Sequence, residues 1–165
     1  MTNDEMNSLY NHSKIKAMIS FTHGEGYGRP LAEFAAIGKP IIAPNWSGHI
    51  DFLKKEYVSL LPGELKNVHA SAVHRDMILA ESSWYYVNYF YASQTLKDVY
   101  KNYTPHKKKA IKLAEIINKH YTLSKMDEKF KEILDRHIPE IPEEVKLVLP
   151  ALEKIKNKKE VKDES

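Results

Sequence analysis

The feature that most constrains the fold is the run HGEGYGRPLAE at residues 23–33, which reads as a glycine-rich turn between an apolar stretch and a helix. Gly24, Gly26 and Gly28 alternate with other residues directly after AMISF. Glycine permits a left-handed backbone and lets a ligand approach the main chain closely. Pro30 suits the start of a helix, where its missing N–H removes no intrahelical bond. The run therefore predicts a strand, a tight turn and a helix, in that order.

Further apolar segments alternate with helical ones, which favours a parallel α/β sheet. The predicted strands cover residues 17–21, 40–43 and 57–61. The predicted helical segments cover residues 30–37, ended by Gly38, and residues 48–53. The chain opens differently, because Thr2 and Glu5 form a T-x-x-E capping box that predicts a short helix first.

Beyond residue 62 the pattern becomes mainly helical. Residues 67–81 give no clear periodicity, and WYYVNYFY at residues 84–91 is crowded with aromatic side chains. Amphipathic patterns predict helices at residues 92–103, 106–120 and 124–137, the last capped by Ser124. We therefore expect one partial domain over residues 1–150, with an α/β core at 1–62, a helical part at 63–138 and a proline-broken extended segment at 139–152. Residues 153–165 are charged, lack an apolar face and predict a disordered tail.

Composition narrows the function classes. The chain has 165 residues, enough for one domain, and no cysteine, which excludes disulfides and thiolate metal sites. Its eight histidines are scattered without metal-ligand spacing, so we expect no metal. No apolar run approaches the length of a membrane span, and we expect a cytoplasmic protein. A net charge of +3 gives little reason to expect a nucleic-acid partner.

The turn itself predicts a ligand rich in oxygen atoms. N–H groups at a helix start favour phosphate, and ligands of open α/β sheets bind at the carboxyl ends of strands. The carboxylates of Glu25 and Glu33 can accept hydrogen bonds from sugar hydroxyls and are expected to face one crevice. A glutamate near a helix start is also favoured by the helix dipole alone, but the glycines around Glu25 favour a ligand.

Two familiar nucleotide motifs are excluded by spacing. The glycines run G-x-G-x-G, whereas dinucleotide binding needs G-x-G-x-x-G with an acidic residue at the end of a later strand. Pro44 and Asn45 stand where that acidic residue would be. No Gly-Lys-Ser/Thr follows the turn, so a Walker A loop is absent as well.

The signature EGYGRPLAE resembles the E-G-F-G-x-P-L-x-E motif of retaining, group 1 glycosyltransferases of the GT-B class. The following AAIGKPIIAPNWSGHIDFL is similar to their A-x-G-K-P-V-I-A-x-x-x-x-G continuation. Upstream, LYNHSKIKAMISFTH is similar to the preceding helix and strand, and downstream Trp84 and KMDEKFKEILD resemble the closing helices of a phage-like variety. The resemblance reaches about Ile155 and is most specific over residues 23–53.

The resemblance implies roles for individual residues. Glu25 would be the catalytic glutamate that holds donor-sugar hydroxyls, and Glu33 would hold the ribose of the nucleotide. The residues expected to face the donor sugar and diphosphate are Gly24, Gly26, Tyr27, Gly28 and Arg29, together with His23, which is included because it borders the glycine turn. Asn45, Ser47 and Gly48 are expected to line the same cleft. Tyr27 replaces the commoner phenylalanine of the motif.

The implied fold is the second half of a GT-B carboxyl-terminal domain, a partial Rossmann-like parallel sheet followed by closing helices. The implied activity is transfer of a sugar from a UDP- or GDP-sugar to an unknown acceptor, with retention and without a permanently bound cofactor or metal. The acceptor domain and part of the diphosphate-binding machinery are expected to lie outside this chain. A second chain or a homo-oligomer would then complete the domain.

Other function classes stay open at this point. The same signature is compatible with a non-catalytic nucleotide- or sugar-binding module and with an interaction protein. The basic run at His106–Lys109, with Lys112 and Lys119, leaves open a fragment of a DNA-modifying phage glycosyltransferase, although a solvated helix face is the simpler interpretation. The aromatic run at residues 84–91 is compatible with base stacking, but packing or a subunit interface is the more common use.

Overall fold

Three short parallel strands form the sheet of the computed structural model, which describes residues 1–74 and 77–139. Strands β1 (Met18–Ile19), β2 (Ile41–Pro44) and β3 (Ser59–Leu61) lie in the order β1-β2-β3. Ile42, in the central strand, pairs with Ile19 on one side and Ser59 on the other. All four residues of β2 are buried, as expected for a strand that is covered on both faces. The α/β class and the parallel sheet predicted from the sequence are confirmed.

Five α-helices accompany this sheet in the described part of the chain. They are α1 (Asn3–Asn11), α2 (Arg29–Ala36), α3 (Tyr89–Lys101), α4 (Tyr103–His120) and α5 (Leu123–His137). The predicted capping box begins α1, because the Glu5 amide donates to the Thr2 hydroxyl at 3.2 Å and the Thr2 amide donates to the Glu5 carboxylate at 2.7 Å. Residues 48–51 form the predicted helical turn as a 3-10 helix.

Helix α2 lies between the sheet and α4. Leu31 and Phe34 of α2 are buried in one cluster with Leu113 and Ile117 of α4. Helix α4 also caps the end of α2, since Lys107 Nζ donates to the Gly38 carbonyl at 2.6 Å and Asn118 Nδ2 donates to the Ala36 carbonyl at 2.9 Å. These bonds satisfy carbonyls that a helix end leaves without intrahelical donors. The stripe predicted on residues 106–120 is therefore a packing face.

A β-hairpin occupies part of the region expected to be helical. Strands β4 (Gly63–Asn67) and β5 (Ser83–Val87) pair antiparallel, with Leu65 opposite Tyr85. Tyr85 and Val87 are buried while their neighbours in β5 are more exposed, so the strand alternates with a period of two. Aromatic side chains favour such a half-buried strand, and the crowding at residues 84–87 follows from it.

The start of α5 also corrects the prediction. Thr122, rather than Ser124, is the N-cap, and its hydroxyl accepts from the Lys125 amide at 3.3 Å. Both residues can cap a helix, and the helix begins one residue earlier than the sequence pattern indicated. The extended segment and the charged tail, expected at residues 139–152 and 153–165, lie outside the described residues from 140 onward. Within the described ranges no helix is long and apolar enough to cross a membrane.

Candidate functional site

The glycine turn connects the carboxyl end of β1 to the start of α2, as predicted. Gly28 alone of its three glycines adopts a left-handed backbone, with φ of 83°, and it is the N-cap of α2. A Cβ on Gly28 would lie 3.1 Å from His49 Cβ, so this glycine is required by both conformation and space. A Cβ on Gly26 would meet nothing within 4 Å, which leaves open space beside the turn.

Ser47 and Gly48 hold the main chain of the turn from the opposite side. The Glu25 amide donates to Ser47 Oγ at 2.9 Å, and the same hydroxyl donates to the Glu25 carbonyl at 2.6 Å. The Gly48 amide donates to that carbonyl at 3.0 Å. This three-bond arrangement, which we call the Glu25 clamp, fixes the backbone from which the Glu25 side chain projects. The predicted cleft residues Ser47 and Gly48 are thus brought to the turn.

The clamp is strained and tightly fitted. Ser47 has φ of 79°, in the left-handed region that favours glycine. A Cβ on Gly48 would lie 1.9 Å from the Gly26 carbonyl oxygen, which is far inside van der Waals contact. Strained non-glycine residues concentrate at ligand-binding and catalytic sites. The strain at Ser47 therefore identifies this turn as a candidate ligand-binding site.

Glu33 lies in a groove of about 690 Å³ between α1 and α2. Its Oε1 is 3.2 Å from Arg29 Nε, one helical turn earlier, in an exposed ion pair. Tyr10 and Asn7 of α1 line the same groove. Burial and, secondarily, the Glu33 charge raise the pKa of Tyr10, so its phenol stays protonated and can donate a hydrogen bond.

The two predicted glutamates have different surroundings in the structure. Glu33 lines the α1–α2 groove, whereas the residues described as lining that groove do not include Glu25. The main chain of Glu25 is hydrogen-bonded to Ser47 and Gly48. Glu25 comes close to the start of α2, the helix that carries Glu33, because a Cβ on Gly28 would lie 3.8 Å from Glu25 Cβ, and the crevice shared by the two carboxylates stays a prediction.

His23 is bound to the hairpin. Its Nδ1 donates to the Tyr85 carbonyl at 2.8 Å, and the Tyr85 amide donates to the His23 carbonyl at 3.2 Å. Because a carbonyl only accepts, Nδ1 carries the hydrogen of this bond. The ring stacks on Trp84 with centroids 4.7 Å apart and an 8° interplanar angle. From the sequence, His23 is expected to lie beside the donor. In the structure its hydrogen bonds to Tyr85 link the glycine turn to the hairpin.

His49 supports the turn and was not singled out from the sequence. It is fully buried, and its Nε2 donates to the Pro44 carbonyl at 2.7 Å. Its Nδ1 has no hydrogen-bond partner among the described residues. His49 thus holds the end of β2 through its ring, while its Cβ lies beside Gly28. The sequence carries one weak signal for this role, a histidine directly after Gly48 in a segment expected to line the cleft.

Tyr27 and Asn45 have different surroundings. The Tyr27 ring packs on Phe52 at 5.1 Å, and burial raises the pKa of its phenol. Tyr27 is nevertheless 49% exposed, so it covers the edge of the core beside the turn.

The Asn45 main-chain amide donates to the Leu61 carbonyl at 2.9 Å and continues the β2–β3 ladder. The Asn45 side chain is exposed at the carboxyl edge of the sheet.

The turn and groove offer main-chain amides and one arginine as hydrogen-bond donors and two carboxylates as acceptors, which together suit a polar, oxygen-rich ligand. No group of three or more histidine, aspartate or glutamate side chains within residues 1–74 and 77–139 could hold a metal ion.

Comparisons with protein-family models, with curated proteins and with solved structures found no match to this chain.

Proposed function

We propose that this chain is the donor-binding part of a retaining glycosyltransferase of the GT-B class, which uses a UDP- or GDP-sugar. The observation that carries the proposal is the Glu25 clamp, which holds a strained turn beside the open space at Gly26 and directly before the start of α2. Because the loop is already ordered, a ligand can bind to its polar groups without the entropy cost of ordering them, and this favours recognition.

The proposed roles follow the chemistry of each group. The main-chain amides of Arg29 and Leu31 at the start of α2 would donate to diphosphate oxygens, which the helix dipole also favours, whereas Pro30 has no N–H. Glu33 would accept from the vicinal ribose hydroxyls in the α1–α2 groove, where Tyr10 and Asn7 supply further polar contacts. Glu25 would orient hydroxyls of the donor sugar. Arg29, 3.2 Å from Glu33, would neutralise charge at the groove.

In the proposed reaction the bond from the anomeric carbon to the diphosphate oxygen breaks, and a bond to an acceptor hydroxyl oxygen forms on the same face of the sugar. The acceptor proton leaves with the nucleoside diphosphate. The donor-binding part contributes orientation of the sugar and stabilisation of the departing diphosphate.

Calorimetric titration with UDP, GDP and ADP and with their glucose or mannose conjugates tests this proposal. We expect one base to bind best and the Glu33→Ala variant to bind it roughly 10 to 100 times more weakly, because a charge-assisted hydrogen bond is lost. Glu115→Ala, which removes an exposed glutamate on α4, is the matched control and should bind as the unaltered chain does.

Each result points to one class of function. Binding that survives Glu33→Ala unchanged, or no binding by folded protein, would contradict the donor-site assignment. The absence of binding would favour the interaction-protein alternative. Nucleotide binding of the expected kind, with no transfer even when candidate partner chains are supplied, would favour the non-catalytic binding module.

A further inference from the structure

One face of the hairpin carries aromatic and charged side chains together. Residues opposite each other in an antiparallel pair project to the same face. Glu64 lies opposite Tyr86, and Lys66 lies opposite Trp84. Their side chains therefore share one face of the hairpin, whereas Tyr85 projects to the other face and is buried in the core.

The charges on this face cancel. Lys66 Nζ lies 2.7 Å from Glu64 Oε1, and both side chains are more than half exposed. The pair is an exposed ion pair and adds little to stability. It presents a carboxylate and an ammonium group side by side, with no net charge, beside the aromatic rings of Trp84 and Tyr86.

A groove of about 440 Å³ runs along this part of the hairpin. Glu64, Lys66, Tyr86, Asn88 and Tyr89 line it. Asn88 Oδ1 accepts a hydrogen bond from the Tyr91 main-chain amide at 3.0 Å, so the Asn88 Nδ2 group is left to donate. Tyr89 is 63% exposed. The groove thus combines aromatic faces with hydrogen-bond donors and acceptors.

The face is joined to the glycine turn through His23. The His23 ring lies 4.7 Å from the ring of Trp84 and 4.7 Å from the ring of Tyr86. His23 is followed directly by Gly24. The groove residue Tyr86 therefore contacts the residue that directly precedes the glycine turn.

We propose that this face of the hairpin binds a saccharide, with the Tyr86–Tyr89 groove as its centre. A sugar ring has apolar C–H faces that pack on aromatic rings, and its hydroxyls both donate and accept hydrogen bonds. The groove supplies partners for both. A single-stranded nucleic acid would also stack on aromatic rings, but it needs a net positive groove for its phosphates, and the Glu64–Lys66 pair is neutral. That the saccharide is the acceptor of the transfer rests on the proposed function.

Tryptophan fluorescence tests the site directly, because the chain has two tryptophans. The Trp46→Phe variant leaves Trp84 as the only tryptophan, so its emission is followed with excitation that selects tryptophan over tyrosine. Titration of this full-length variant with maltotriose, cellotriose, mannotriose and chitotriose should give a saturable change with at least one of them. Saturation-transfer NMR with the same sugars detects binding that leaves the fluorescence unchanged.

Two substitutions, made in the Trp46→Phe background, assign the binding to the groove. Glu64→Gln and Tyr89→Ala should each weaken it by about fivefold or more, the loss expected for one hydrogen bond or one stacking contact. Glu115→Gln on α4 and Tyr100→Ala on α3 are the matched controls. Tyr100 is 86% exposed, and both controls should leave sugar binding unchanged.

The proposal is overturned if none of the four sugars binds by either method, or if Glu64→Gln and Tyr89→Ala bind as the controls do. Binding of a thymidine octamer that weakens steeply with salt, without sugar binding, would also overturn it and favour nucleic acid. The nucleotide titration is an independent readout. Sugar binding without nucleotide binding would remove the transferase assignment alone, and nucleotide binding without sugar binding would remove the hairpin site alone.

Discussion

At the scale of single residues, the candidate site depends on a glycine, whose lack of a side chain lets two backbone segments approach closely. Gly48 approaches the Gly26 carbonyl so closely that a Cβ would be 1.9 Å from the oxygen. This approach lets the Gly48 amide reach the Glu25 carbonyl at 3.0 Å. Gly26 lies in the same turn, yet a Cβ there would meet nothing within 4 Å. The two glycines therefore have different reasons to be present, one structural and one compatible with ligand approach.

We predict that Gly48→Ala lowers the free energy of unfolding by about 2 kcal/mol or more, since the clamp must move to admit a methyl group. Gly26→Ala should change it by less than about 1 kcal/mol, because the added methyl group has room. Urea unfolding followed by circular dichroism measures both. Equal effects of the two substitutions would show that the clamp does not hold the turn as described.

At the scale of elements, the joint between α3 and α4 is held by one carboxylate. Asp98 Oδ1 accepts from Asn102 Nδ2 at 2.7 Å, and Asp98 Oδ2 is 2.8 Å from His106 Nε2. These hydrogen bonds, first the one from Asn102 and then the one from His106, hold the pKa of Asp98 below its ordinary value. The basic run at residues 106–109 is thus partly used inside the protein, since His106 contacts Asp98 and Lys107 caps α2.

A lowered carboxyl pKa gives a stability contribution with a definite pH dependence. The unfolded chain binds the proton first, so the contribution is present above the ordinary aspartate pKa of about 4 and is lost as the pH falls through the lowered value. Asp98→Asn should therefore be less stable than the unaltered chain at neutral pH, and the difference should shrink below about pH 4. Urea midpoints across this range measure it. A difference that is constant with pH, or that Asp135→Asn on α5 reproduces, would contradict the assignment.

At the scale of the whole molecule, the sheet, α2 and α4 form one packed unit that presents the turn at its edge. The cation closest in sequence to the turn is Arg29, which is paired with Glu33 at 3.2 Å. In the proposed reaction a departing diphosphate carries more negative charge than this single arginine neutralises. Cationic groups from a second chain or a second copy would supply the remainder.

We therefore predict that the 165-residue chain alone turns over poorly or not at all with any nucleotide sugar it binds, because in the proposed function part of the charge that stabilises the diphosphate comes from outside it. A radiolabelled-donor assay with saturating acceptor sugars measures this. Robust multiple turnover would contradict it, and turnover that rises with the square of protein concentration would identify self-association as the missing contribution.

Local sequence patterns were sufficient for the elements whose cause is local. The capping box at Thr2, the glycine turn before α2 and the apolar stripe of α4 each depend on residues within a few positions of one another. The helix boundaries were accordingly predicted to within a few residues for most of the chain. The membership of Ser47 and Gly48 in the site was predicted through the family resemblance, because their partner Glu25 lies 22 residues earlier.

Long-range contacts decided the rest. The hairpin forms because Tyr85 and Val87 are buried in the core beside Leu61. No pattern within residues 63–87 indicates that Leu61 is their neighbour. Likewise His23 bonds a strand 62 residues away, and His49 is buried under the turn by packing. The same packing places Glu33 in the α1–α2 groove and holds the main chain of Glu25 in the clamp. Periodicity fixes which face a residue takes, but the partner on that face is set by the free energy of burying it, which only the assembled chain determines.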